Sequence, residues 1–141
     1  MNDGNHSTLV WTPSLELGVG SLDRQHRELF GRLDRASELL TGDADAGAIA
    51  SPLRELVGFT AMHFETERRI MQAHGFPDSA AHGDQHAELL NQLRRVVAYA
   101  LSGARRPQAP KILRFLGGWL ARDIVDHDRQ LAAFLRARGV D

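Results

Sequence analysis

Two pairs of side chains, each spaced four residues apart, carry the chemistry of this sequence. His63 and Glu67 lie in the run HFETE, and His82 and His86 lie in HGDQH. Residues four apart share one face of a helix, about 6 Å apart along its axis. Between the pairs stands Gly75-Phe76-Pro77-Asp78, a glycine stop followed by a proline that cannot continue a helix. The spacing therefore predicts a helical hairpin. At about 1.5 Å per residue, Glu67 and His86 both lie roughly 10 Å from the turn, so the pairs face each other at overlapping depth. Three imidazoles and a carboxylate converging there form half of a metal site.

The elements that must position these groups follow from apolar spacing. A first helix over about 21–41 places Leu22, His26, Leu29, Phe30, Leu33 and Leu40 on one stripe, with Ser21 as its expected cap and Gly42-Asp43 as its end. Residues 43–50 are an Ala/Asp/Gly-rich connection with room for a partly helical stretch. Ser51-Pro52 suits the start of a second helix, serine as cap and proline at the first position. Its inner stripe is Leu56, Thr60, His63, Glu67, Ile70 and Met71. A third helix over about 79–103 carries His82, His86, Leu89, Leu90, Leu93, Val96 and Val97 and stops at Ser102-Gly103, before a basic, proline-containing loop. A fourth over about 109–138 carries Ile112, Leu116, Trp119, Leu120, Asp123, Ile124, His127, Leu131 and Leu135. Residues 1–20 lack helical periodicity; the first eight are polar, and Trp11, Leu15, Leu17 and Val19 then read as an arm packed along the domain. The expected architecture is all-α: an antiparallel up-down-up-down four-helix bundle at 21–141 behind an N-terminal arm at 1–20.

Polar groups on these apolar stripes are the informative feature. His26 sits between Leu22 and Phe30, Glu67 between His63 and Ile70, and Asp123 and Asp128 flank the inner face of the last helix. One unpaired buried carboxylate costs several kcal/mol. No lysine or arginine shares the stripes, so a bound cation, or a pair, removes the difficulty. A lone histidine on such a stripe is more often a hydrogen-bonded core residue than a ligand, and HxxxH alone is a weak signal. Two facing pairs with His26 and Asp128 on the remaining helices make chance hard to sustain. His74 belongs to the last turn of the second helix, where positive charge suits the helix dipole, and His6 to the polar tail.

Composition narrows the rest. The chain has 141 residues, a net charge of −1 and a pI near 6.7, which gives no electrostatic case for nucleic acid or an anionic membrane. There is no cysteine, so disulfides, thiolate metal sites and thiol nucleophiles are excluded. The N-terminus has no basic segment followed by an apolar core, and no apolar run reaches the length of a membrane span. A soluble, cytoplasmic protein is the expectation.

Taken together, the Trp11 arm, LDRQH at 22–26, HFETE at 63–67, HGDQH at 82–86 and WLARDIVDHD at 119–128 resemble the hemerythrin family, specifically its bacterial single-domain members. The resemblance covers nearly the whole chain from Trp11 onward. It implies a non-haem di-iron centre, oxo- or hydroxo-bridged, with His26 and His63 on one iron and His82 and His86 on the other. Glu67 and Asp128 would bridge the two. It further implies that O2, or a similar small diatomic or anion, binds at the iron held by His26 and His63, and that Phe64, Trp119, Leu120 and Ile124 line a dry pocket for it. The mixed nitrogen and oxygen set suits iron, and seven ligand positions are too many for one tetrahedral zinc.

One position departs from the family pattern, in which the last helix carries a histidine followed five residues later by aspartate. Here the first of these is Asp123. Asp123 ligates directly, or His127 supplies the imidazole one turn further on, or water fills the gap, or that iron site is weak or empty. Two ferrous ions, two carboxylates and a hydroxide leave one net positive charge, which a third carboxylate cancels; added negative charge favours ferric over ferrous iron. The leading functional expectation is an O2-binding protein for storage, transport or sensing, with no turnover required. Peroxide or nitric-oxide chemistry at the same centre is the second, although no polar residue stands over the pocket as a proton donor. Iron storage or delivery is the third. The buried carboxylates oppose a metal-free interaction bundle.

Overall fold

The structure is a computed structural model that describes residues 11–42, 46–102 and 109–141. Four rods make the fold: α1 (Gly20–Thr41), α2 (Ala46–His74), α3 (Ser79–Leu101) and a last rod in three pieces. That rod runs as α4 (Ala109–Asp123), a π-helical turn (Ile124–Asp128) and α5 (Arg129–Ala137). Each rod packs on its neighbours in the chain, and α1 on α4 closes the ring. This is the all-α, antiparallel four-helix bundle that the apolar stripes predict, and no strand occurs among the described residues.

The α2–α3 turn has the bonding that a glycine stop allows. Gly75 adopts φ +65°, the Phe76 N–H donates to the Met71 carbonyl at 3.0 Å and the Gly75 N–H to the Gln72 carbonyl at 3.4 Å. These are the two bonds of a Schellman ending. Phe76 is buried there, its ring edge-on to Phe134 at 5.2 Å. The turn thus fixes the depth at which the two ligand pairs meet.

Three boundaries differ from expectation. Ser21 does not cap α1, which begins at Gly20 after an uncapped Val19. Asp23 takes the local role instead, its carboxylate accepting the Leu17 N–H at 2.8 Å and the Gly18 N–H at 3.1 Å. It pins the arm, whose Leu15, Leu17 and Val19 are buried and whose Trp11 ring lies edge-on to Phe30 at 5.7 Å. Helix α2 starts at Ala46 and runs through Ser51 and Pro52. Ile49, Leu53 and Leu56, all 1% exposed or less, extend the inner stripe upstream, and that burial outweighs the backbone bond a proline cannot donate. The last rod is not uniformly α-helical. The expectations for residues 1–10, 43–45 and 103–108, His6 and Gly103 included, lie outside the described residues, as does the side chain of Ile112.

The polar residues form a layer across the bundle. Toward the hairpin turn the core holds Leu22, Met71, Phe76, Leu131 and Leu135; on the far side it holds Leu29, Leu33, Leu56, Leu93 and Leu116.

Candidate metal centre

Each rod delivers its share of the layer. Helix α1 supplies His26, α2 His63 and Glu67, α3 His82 and His86, and the last rod Asp123 and Asp128; none is more than 4% exposed. All four imidazoles aim Nε2 at the acids. Glu67 divides its two oxygens between the histidine pairs: Oε2 lies 3.0 Å from His63 and 3.3 Å from His26, Oε1 2.9 Å from His82 and 3.5 Å from His86. Asp128 does the same, with Oδ2 3.0 Å from His26 and Oδ1 2.8 Å from His82 and 4.0 Å from His86. Two four-residue clusters able to hold a cation result. One is His26, His63, Glu67 and Asp128; the other is Glu67, His82, His86 and Asp128. They share both acids.

The π turn explains how one rod places two acids here. In a regular α-helix, residues five apart point about 140° away from each other. Residues 124–128 are wound with i→i+5 bonding, which returns residues five apart to one face. Asp123 and Asp128 therefore both look inward.

Electrostatics show what these groups do for one another. Burial by itself pushes the His26 imidazole down, but the Asp128 and Glu67 carboxylates more than reverse this and raise it to about 9. The same contest takes His82 to about 10. Burial pushes Glu67 up, yet His26, His63 and His82 hold it well below the usual carboxylate range. Asp128 is raised, by burial and then by the charge on Glu67. The acids thus draw protons onto His26 and His82, which offset part of their buried charge.

They satisfy the acids incompletely. Nε2 of His26, His63 and His86, Oε2 of Glu67, Oδ1 of Asp128 and both oxygens of Asp123 are buried without a well-aligned hydrogen-bond partner. Buried polar groups are ordinarily paired, so this concentration of inward-pointing nitrogen and oxygen atoms fits a bound cation, taken up as the imidazoles lose their protons, better than a closed hydrogen-bond network. The donor set, imidazole nitrogen with carboxylate oxygen, suits a first-row transition metal.

Asp123 stands at the rim of the second cluster without joining it. Its Oδ2 is 3.4 Å from His86 Nε2 and its Oδ1 3.4 Å from His127 Nδ1. His127 is 35% exposed and turns that nitrogen toward Asp123; it belongs to neither cluster. His74 closes α2, away from the layer.

Of the four residues expected around a dry pocket, Phe64 and Leu120 border an apolar cavity of about 20 Å³, with Leu29, Leu33, Leu93 and Leu116 among its walls. Ile124 is fully buried in the π turn. Trp119 does not face the cavity. Leu116 and Leu120 take the inner stripe of α4, and Trp119, one residue off and about 100° round the helix, leans on Phe115 in an outward groove.

Two contacts at the centre go beyond what helical spacing predicts. Phe64 stacks on His86, ring centroids 3.8 Å apart and 5° from parallel. Gln25 Oε1 lies 2.8 Å from His63 Nδ1, fixing which nitrogen faces the acids. Phe64 could have been placed by its position beside His63, but Gln25 stands one residue off the inner stripe and carries no signal of its own.

A helical bundle with a buried layer of four imidazoles and shared carboxylates defines a class of cation-binding protein, and the comparisons agree. A family model, the hemerythrin HHE cation binding domain, matches residues 17–135. The chain is 29% identical over 130 residues to a bacteriohemerythrin of Stenotrophomonas maltophilia (strain R551-3), covering 92% of this chain and 82% of that one. It is 31% identical over 121 residues to a bacteriohemerythrin of Pseudomonas aeruginosa (strain LESB58), covering 85% and 76%. A crystal structure of wild-type hemerythrin shares the fold with a TM-score of 0.76, at 24% identity over 89% of this chain and 96% of that one. This chain belongs to the hemerythrin family.

Proposed function

We propose that this protein holds two iron ions in the polar layer and binds O2, as a store or sensor of oxygen. The observation that carries the reading is the divided use of Glu67 and Asp128, each with one oxygen toward His26 and the other toward the His82–His86 pair. Such sharing suits two cations side by side rather than one. A carboxylate-bridged iron pair supplies two electrons to a small oxidant such as O2. The chain's own contribution is positional. His26 and His63 hold one ion from α1 and α2, and His82 and His86 hold the other from α3, with Asp123 completing its surroundings.

Phe64 and Leu120 keep one approach to the layer apolar. The cavity they border, about 20 Å³, exceeds the roughly 10–15 Å³ that one water-sized molecule needs, and walls of leucine leave it dry. A small diatomic fits such a space better than a charged or extended substrate. No helix of the described residues is long and apolar enough to cross a membrane.

A redox role has one specific observation in its favour. Asp123 adds a third buried carboxylate where imidazole would be neutral, and the extra negative charge favours the oxidised pair. The same centre would then report oxidation, or spend its electrons on peroxide or nitric oxide. Aerobic purification followed by metal analysis and an optical spectrum tests the main reading. Two irons per chain with an oxo-bridge absorption band are expected. A chain with no iron under iron-replete conditions overturns it, and one iron per chain overturns the paired site.

A further inference from the structure

The outer nitrogen of His63 leads to the protein surface through two side chains. Nδ1 meets Oε1 of Gln25 at 2.8 Å, and the same carboxamide extends its Nε2 to within 3.7 Å of the Met62 sulfur. The Thr66 hydroxyl lies 3.5 Å from that sulfur on its other approach. Met62 is 44% exposed, the more accessible of the two described methionines; Met71 is 1% exposed. A thioether is a weak acceptor, yet here the Gln25 carboxamide reaches one, beside a Thr66 hydroxyl whose single proton is shared with the Met62 carbonyl at 3.0 Å.

We propose that Met62 is a site of reversible oxidation by hydrogen peroxide, and that Gln25 carries the change to His63. In the step itself the O–O bond of peroxide breaks and one oxygen is transferred to Sδ, forming the S–O bond of methionine sulfoxide. Sulfur loses two electrons, and the other peroxide oxygen leaves as water. Exposure gives the oxidant its access. The new oxygen is a strong acceptor, and it enters the space that Gln25 Nε2 already reaches, beside Thr66 Oγ1.

The consequence follows from the shape of the carboxamide. Its nitrogen and oxygen are fixed to one planar carbon, so drawing Nε2 toward a sulfoxide displaces Oε1 against His63 Nδ1. The outer hydrogen bond of a ligating imidazole sets its orientation and basicity. Oxidation at the surface is thus read at the centre. The reading at His63 rests on the metal assignment proposed above, whereas the oxidation of Met62 does not.

The test uses the full-length, iron-loaded protein in its oxidised state, treated with excess hydrogen peroxide. Peptide mass mapping should show Met62 gaining one oxygen about tenfold faster than Met71, in line with their exposure. The exchangeable Nδ1–H resonance of His63 should shift as it does so and return on treatment with methionine sulfoxide reductase. In Gln25→Leu, Met62 should oxidise at the same rate while the resonance stays put; in Met62→Leu, peroxide should leave it unmoved. Equal oxidation of Met62 and Met71, an unmoved resonance in the parent protein, or the same shift in Gln25→Leu would each overturn the proposal. Iron content measured on the same sample keeps the two readings apart. Selective oxidation with the His63 shift in a chain that binds no iron overturns the metal reading alone.

Discussion

If the layer holds the iron pair proposed above, a carboxylate at position 123 would change which redox state the centre prefers. Asp123 is 4% exposed and its oxygens meet only imidazole nitrogens, His86 on one side and His127 on the other, each at 3.4 Å. Exchanging it for a neutral ring removes one negative charge from a buried site. Asp123→His is therefore expected to slow autoxidation of the iron-loaded protein about tenfold, read as the decay of the oxygenated optical spectrum in air with metal content unchanged; an unaltered rate would remove the charge argument. The histidine pairs and Glu67 were legible in the sequence because four-residue spacing on a helix is itself a geometric statement. Gln25 was not, because its importance lies in a contact with a residue 38 positions away on another helix.

The last rod works because it is locally underwound into a π turn, and single-residue changes there have opposite expected outcomes. Inserting an alanine after Asp126 rotates everything beyond it by about 100° and swings Asp128 off the shared face; iron content is expected to fall below one per chain with helical circular dichroism retained. Deleting Asp126, which is exposed, leaves the two acids four apart and relaxes the turn to α, so metal binding should survive. At the other end of the site, Gly75→Ala puts a side chain at φ +65° and should cost about 1 kcal/mol, seen as a lower Tm in thermal melts. The glycine stop and the four rods could be read from apolar periodicity. The π turn could not, since Asp123 and Asp128 at five-residue spacing fit no regular α face, and nothing local in Ile124–Asp128 announces the change of winding. Nor did Ser51-Pro52 look like a helix interior; only the burial of Ile49 and Leu53 decides that.

On the scale of the molecule, protons and metal compete for one polar layer. His26 and His82 are raised from about 6.5 to about 9 and about 10. Below pH 6.5 folded and unfolded chains both hold these protons, and the imidazole–carboxylate attraction counts in full. Above that the unfolded chain has lost them while the folded one keeps the His26 proton up to about pH 9 and the His82 proton up to about pH 10, so stability falls as pH rises. Thermal melts of the metal-free protein should show Tm declining from pH 7 to 10. Metal uptake must release the same protons, so apparent affinity should climb over that range by about tenfold per pH unit for each proton displaced. A Tm that is flat with pH in the metal-free form would contradict this account. The layer has a mechanical side as well. It lies between the leucines beside the hairpin turn and those around the apolar cavity, so a buried polar seam crosses one apolar core. A bound cation would lace that seam shut. Without a cation, at high pH, that seam is the weakest layer of the interior, and calorimetry should show a broader heat-absorption peak at lower temperature for the empty protein than for the loaded one.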